Sequence, residues 1–428
     1  MSLTLQFSRF VIPSMLAFAL SGVYAIADGF FVGNALGDSA LAAINIAYPL
    51  TALLQALGSG IGMGGAVGYS IGIGQNDLKR GDEYFTVTIV LLTIISIILI
   101  PLYLLIASPV IHLFGAEGVI HAQALEYIRY ITFGAIFQVL ATGMVPFIRN
   151  MGLSSVATAS MVAGFITNII LDYLMVWRLN WGMAGAAIAS VLGQAITFIV
   201  CILAIIVKKQ KLRKFSLEKL LSHLKNIVLV GVAPFGLVLS PNISLVMMNK
   251  FLSLLGGAFA VTCFAVISYI YTIVLLVTQG IGNGCQPLFS LYWGKGELGV
   301  IHKLRRMSYI FGFFMVLLIG YILYLLRFDI PILFGSSNDV VNGVARLLPL
   351  FLLGSLFTPF SRVTTAYFYA TEKSFSSYLL VYGELVILAI LLFALSSLFG
   401  LMGVWLSIPI SQALIALCSM IMIVRRRE

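Results

Sequence analysis

Apolar runs of about 20 residues or longer follow one another through the whole chain, with only short polar breaks between them. A run of that length matches the roughly 30 Å hydrocarbon layer of a bilayer when it is helical. Transmembrane β-barrels alternate apolar and polar residues over about ten residues, and these runs do not alternate. The chain of 428 residues is 61% hydrophobic and 9% charged, whereas soluble domains carry about a quarter charged residues. An all-α integral membrane protein is therefore expected. The first run continues past Pro13 to Phe31 without a small-residue cleavage site, so it reads as a span and not as a cleaved signal.

Twelve spans are expected, at about 8–33, 40–74, 84–114, 120–149, 154–177, 182–207, 226–250, 257–293, 305–327, 340–371, 374–399 and 401–424. Those of about 30 residues or more project beyond the lipid or tilt within it. Arg9, Lys79, Arg80, Arg149, the Lys208–Lys225 cluster, Lys295, Lys303, Arg305, Arg306, Lys373 and Arg425–Arg427 fall on one side. The other side holds little beyond Arg129, Arg178, Lys250, Arg327 and Arg346. Positive residues mark the cytoplasmic side. Both termini are expected inside the plasma (inner) membrane, and the net charge of +10 is an orientation signal and not a nucleic-acid footprint.

The chain is duplicated. Pro13 and Asp28 match Pro234 and Asn249 at a shift of 221. Gly60-Ile61-Gly62-Met63-Gly64 matches Gly280-Ile281-Gly282-Asn283-Gly284, and Phe114-Gly115 matches Phe334-Gly335, both at 220. Trp181-Gly182 matches Phe399-Gly400, and Gln194 matches Gln412, at 218. Six spans per copy put both copies in one orientation, so two six-helix lobes related by a pseudo-two-fold axis along the membrane normal are expected. The lobes are assigned to residues 1–207 and 226–428, joined by a cytoplasmic linker over 208–225.

Gly60, Gly64, Gly68 and Gly72 recur every four residues on one face of the second span. Small residues at that spacing let helices approach closely, so packing alone accounts for them. Pro234 and Pro241 favour a bend in the seventh span. Cys201, Cys263, Cys285 and Cys418 lie in apolar segments without metal or disulfide spacing and read as packing residues. All four histidines fall at span ends or in loops, which argues against a histidine proton relay.

Three acids lie deep in the spans: Asp28, Asp172 and Glu384. A charge at the bilayer centre costs roughly 2.5–3.5 kcal/mol on insertion scales, so it is kept where it pairs, protonates or binds an ion. Asp28 and Asp172 each lie about one and a half turns from the outer end of a span. Tyr24 precedes Asp28, and Asn168 precedes Asp172, by four residues, which places each pair on one helix face. Ser190 is reached about two turns into the sixth span. Tyr24, Asp28, Asn168, Asp172 and Ser190 can therefore meet in the outer half of the first lobe. Asp28, Asn168 and Asp172 offer hard oxygen ligands to Na+, and two close carboxylates equally suit a shared proton. The plainer reading is that both aspartates cap backbone amides or hydrogen-bond within a static core.

Arg362 and Glu384 flank the turn near Glu372 and reach similar depth in an antiparallel hairpin. A mutual salt bridge is the simplest reading, and a substrate or coupling role for Glu384 the sharper one. With Asn242 and Asn249 they form a candidate second-lobe polar site. Arg149 and Asn150 read as an interface anchor at a span end.

These stretches resemble the multidrug and toxic compound extrusion (MATE) transporters, with their bacterial MepA-like branch the nearest in look. The resemblance rests on Ile26-Ala27-Asp28-Gly29-Phe30-Phe31-Val32-Gly33, Gly60-Ile61-Gly62, Asn168-Ile169-Ile170-Leu171-Asp172 and Gly182-Met183-Ala184-Gly185. In the second half it rests on Gly280-Ile281-Gly282-Asn283-Gly284-Cys285-Gln286-Pro287 and Gly400-Leu401-Met402-Gly403-Val404-Trp405, and it spans nearly the whole chain. It implies an antiporter that exports amphipathic, often cationic, compounds in exchange for Na+ or H+ by alternating access. It also implies a first-lobe cation site at Tyr24, Asp28, Asn168, Asp172 and Ser190. Some members carry further acids in the seventh and tenth helices, where this chain has Asn242, Asn249 and Arg362. Glu384 stands where a basic or neutral residue is expected.

The coupling ion aside, no cofactor is expected, and the partners are small amphipathic molecules and lipid around a monomer. The rival from the same superfamily is a lipid-linked oligosaccharide flippase, which needs a basic cavity for diphosphate. An intramembrane enzyme or channel lacks support, because the chain has no HExxH or GxSxG spacing and no selectivity-filter motif.

Overall fold

The computed structural model describes residues 2–214, 216–333 and 335–425. Phe334 of the repeat match, and Arg426 and Arg427 of the charge count, lie outside them. The described residues form helices and no strand. In order these are α1 (Leu3–Leu36), α2 (Asp38–Gly74), α3 (Leu78–Leu113), α4 (Gly118–Phe133), α5 (Ala135–Asn150), α6 (Ser154–Leu171), a π-helical segment (Asp172–Arg178) and α7 (Gly182–Lys208). There follow α8 (Leu217–Gly294), α9 (Leu298–Leu325), α10 (Asp329–Leu333), α11 (Asn338–Ser355), α12 (Thr358–Ala370), α13 (Ser374–Phe399) and α14 (Leu401–Val424).

Ten of the described helical stretches, α11 with α12 counted as one, are long and apolar enough to cross a bilayer. The pair α4 and α5, bent by 61°, supplies another. The 78-residue α8 holds two spans joined at Gly257, whose φ of 61° and ψ of −160° are open to glycine at little cost. The protein is thus a multi-pass membrane protein with the twelve expected spans. Large apolar side chains stand exposed on the helices, such as Leu105 at 77% and Phe393 at 69%, as lipid-facing surfaces require.

One local expectation needs correction, and two others gain detail. The fourth span is not one helix, because it breaks at Gly134. A Cβ there would collide with Val191 of α7, so glycine allows the close crossing and the chain turns around it. In α8 only Gly257 leaves helical dihedrals, and Pro234 and Pro241 lie in the helical stretch before it. Arg149 does stand in the last turn of its span; it is 2% accessible and its guanidinium reaches the Met161 sulfur at 4.0 Å.

The duplication is written in the backbone as well as in the residues. Gly37, Asn76, Gly115, Gly152 and Gly182 all have positive φ. So do Gly257, Gly296, Gly335, Glu372 and Gly400, at the offsets of the sequence repeat. Each matched pair closes the same turn in the two copies.

The helices gather into two compact units. One comprises Leu20–Leu239 with Ser290–Gly296. The other comprises the chain up to Ala19, Ser240–Phe289 and the chain from Glu297 onward. Within the first unit α2 is the central helix, packed on α3, α4 and α5. Its glycine face lies against the start of α8 and against α3, since Cβ atoms on Gly60 and Gly64 would meet the backbone of Gly231 and Ile227, and one on Gly68 the ring of Tyr84. Close packing is therefore what that stripe supports.

The polar stretch expected as a linker is held down. α8 begins at Leu217, and the connection is strapped to the start of α3 in the same unit. Gln210 and Arg213 bond the Asp82 carboxylate at 2.6 and 2.9 Å. Lys219 reaches both oxygens of Glu83 at 2.9 and 3.1 Å, with His223 at 3.3 Å. Glu83 is 3% accessible, while the Lys219 side chain is 49% accessible. Replacing Glu83 with Ala should loosen the strap by about 1–3 kcal/mol, less than a fully buried pair because Lys219 keeps its water. Trypsin cleavage between Lys208 and Lys214 should accelerate several-fold, and an unchanged rate would show that the pair does not hold the strap.

Candidate cation site and second-unit cavity

Aromatic contacts set the C-terminal half of α1 against α6 and the π-helical segment. Tyr24 stacks on Phe165 with ring centres 5.0 Å apart and planes 7° apart. Above it, Phe31 meets Tyr173 and Trp177 at 6.4 and 6.0 Å. Asp28 lies between these levels on α1, and Asp172 opens the π-helical segment between Phe165 and Tyr173. Inserting a π turn reorients the side chains that follow and often marks a functional position.

The Asp28 and Asp172 carboxylates face each other at hydrogen-bonding range. Ionised, neither has a donor to offer the other. One Asp28 oxygen, both Asp172 oxygens and the Asn168 amide oxygen are buried without a hydrogen-bond donor. Asp172 and Asn168 are 0% and 2% accessible. Asn168 turns its amide nitrogen to the Ser190 hydroxyl at 3.4 Å. Gly164 and Gly193 permit this approach of α6 and α7, since a Cβ on Gly193 would lie 3.0 Å from the Asn168 Cβ and 2.8 Å from the Gly164 carbonyl oxygen.

The structure thus brings Tyr24, Asp28, Asn168, Asp172 and Ser190 together in one unit. The aspartates do not cap backbone amides through these orphaned oxygens. It adds Tyr127 of α4, which sequence reasoning missed. The hydroxyls of Tyr24 and Tyr127 are directed at Ser190, with both aspartates as charged neighbours. Tyr127 shares its span with Tyr130, and nothing in the residue types singles out one of them.

Buried acceptors crowded together repel one another in a medium that screens poorly. A cation or a proton removes that repulsion and supplies the missing partner. The oxygen donors suit a small hard cation, and two carboxylates that can share one proton suit H+ equally. No group of three or more His, Cys, Asp or Glu side chains that could hold a metal exists among the described residues.

In the other unit, Arg362 and Glu384 form their salt bridge with both guanidinium nitrogens 3.2 Å from the carboxylate oxygens. Gln412 of α14 donates its amide to Glu384 at 2.7 Å. The pair faces a small cavity of about 70 Å³ that opens to the surroundings. Phe264, Tyr271, Leu388 and Ile408 are among its walls. Asn242 and Asn249 are not among the residues that line it.

The MatE family model matches residues 13–174 and 235–391, one stretch in each copy of the repeat. The multidrug export protein MepA of Staphylococcus saprophyticus is 24% identical over 429 residues, covering 98% of this chain and 93% of the relative. MepA of Staphylococcus aureus strain MSSA476 is likewise 24% identical, with the same shares of both chains. Among solved structures, a MOP superfamily transporter from Pyrococcus furiosus superposes with a TM-score of 0.91 at 23% identity, covering 98% of this chain and 95% of its own. An outward-facing multidrug resistance MATE family transporter matches with the same score, identity and coverage. With the family model spanning most of the chain and both halves of the repeat, this protein belongs to the MatE family.

Proposed function

We propose that the protein is a secondary antiporter of the plasma membrane that exports amphipathic, often cationic, compounds in exchange for Na+ or H+. The observation that carries the coupling is the set of four acceptor oxygens, from Asp28, Asn168 and Asp172, buried together without a donor. A cation arriving from outside satisfies them, and binding shifts the protein between states only by its differential affinity for them. Asp28 sits on α1 and Asp172 on the π-helical segment, so occupancy would change how these two elements pack. Export of drugs is supported by the names of the MepA relatives. The charge asymmetry of the loops supports a topology with both termini in the cytoplasm, and the proposed working unit is a monomer.

The flippase alternative asks for several arginines facing a cavity. The second-unit cavity has one, and it is paired with Glu384. Dye efflux from proteoliposomes under separately imposed gradients tests the proposal. An inward Na+ or H+ gradient should each be tried alone, and at least one should drive efflux. Efflux that is indifferent to both gradients would overturn the coupling.

A further inference from the structure

The second-unit cavity holds an unusual charge arrangement. Among the described residues, Arg362 and Glu384 are the only charged ones in its lining, and their charges cancel. Both are nearly inaccessible, at 9% and 8%. Two neighbouring polar groups are left without partners. The Tyr271 hydroxyl and the Gln412 amide oxygen are buried and make no hydrogen bond. Their side chains are 7% and 4% accessible and line the same cavity. An unmade hydrogen bond on a buried group costs about 1–3 kcal/mol, so each orphan favours a ligand that satisfies it.

The chemistry of the lining selects among ligand charges. A lone cation finds Glu384 already neutralised by Arg362. A lone anion finds Arg362 neutralised by Glu384. A molecule carrying both charges can exchange partners with the pair, its ammonium on Glu384 and its carboxylate on Arg362. Its N–H groups then reach the Gln412 oxygen, and its carboxylate accepts from the Tyr271 hydroxyl. Phe264, Leu275, Leu388 and Ile408 offer an apolar wall for the rest of the molecule. We infer that this cavity is a binding subsite for zwitterionic amphipathic compounds, with the Arg362–Glu384 ion pair as its specificity element. The inference rests on the transporter reading for its biological use, but the binding stands or falls by itself.

The test is direct binding to the purified full chain in lipid nanodiscs, which requires no export or ion coupling. Three fluorescent probes share a naphthyl group and carry a secondary ammonium, a carboxylate, or both as an N-naphthylmethyl glycine. The wild-type protein should bind the zwitterion about tenfold or more tightly than either singly charged probe, which is about 1.4 kcal/mol. Arg362→Met should shift preference toward the cation and Glu384→Gln toward the anion. Each single change leaves a charge unpaired, so the double variant is the safeguard if either fails to fold. It should elute as a folded protein and bind all three probes with similar affinity. Retained zwitterion preference in the double variant, or equal binding of all three probes by wild type, overturns the subsite. Failure of dye efflux with this binding pattern intact would count against the antiporter reading alone.

Discussion

Asp28→Asn should abolish gradient-driven efflux, lowering it at least about tenfold toward the rate of empty vesicles, while leaving the protein folded and more heat-resistant. Both halves follow from one physical fact. The Asp28–Asp172–Asn168 cluster is rich in acceptors and lacks donors. Asparagine keeps the shape of aspartate and adds two N–H donors. One of them can bond an Asp172 oxygen, and a hydrogen bond to a charged group is worth about 1.5–3 kcal/mol. The variant therefore mimics the cation-filled cluster permanently and loses the alternation that coupling needs. Asp172→Asn should behave in the same way. Stability is read as loss of the monodisperse peak on heating in detergent, and efflux from the same preparation in proteoliposomes. A variant that exports at the wild-type rate, or that is less heat-resistant than wild type, would contradict the cluster's role as a cation receptor.

The sequence made these aspartates visible because charge in an apolar run is costly, and the cost is independent of how helices pack. The same holds for Arg362 and Glu384, whose pairing follows from hairpin depth alone. The span count was legible for a related reason: twelve apolar runs need no tertiary information. What escaped depends on neighbours. Gly134 stands at the break of the fourth span, where Val191 of α7 leaves no room for a Cβ, and one glycine in an apolar run reads as tolerated. Tyr127 joins the cluster through the packing of α4 on α7, which brings it to Ser190. How the linker is fastened was not legible, because Asp82 and Glu83, the partners of Gln210, Arg213 and Lys219, lie more than a hundred residues earlier.

The glycine stripe on α2 was legible as packing, but its severity was not, and Gly64→Ala should be among the most damaging single changes in the first unit. A Cβ on Gly64 would strike the Ile227 carbonyl oxygen and lie 2.9 Å from its carbon, both backbone atoms of α8. Two residues earlier, on nearly the opposite face, a Cβ on Gly62 would strike the backbone of Gly143 in α5. Helix α2 is thus confined on both sides by main chain. It cannot retreat from α8 without closing on α5. Side chains can rotate away from an added methyl, but a helix backbone moves only as a body. Overpacking commonly costs about 1–3 kcal/mol, and a site closed on two faces belongs at the upper end. Gly62→Ala should match it. Gly320→Ala in α9 is the control, since nothing lies within 4 Å of its Cβ. There, alanine should be neutral or stabilising by up to about 1 kcal/mol through helix propensity. Heating curves of the three variants in one detergent decide the matter: a Gly64→Ala protein as stable as the Gly320→Ala control would mean that the α2, α5 and α8 packing is loose enough to yield.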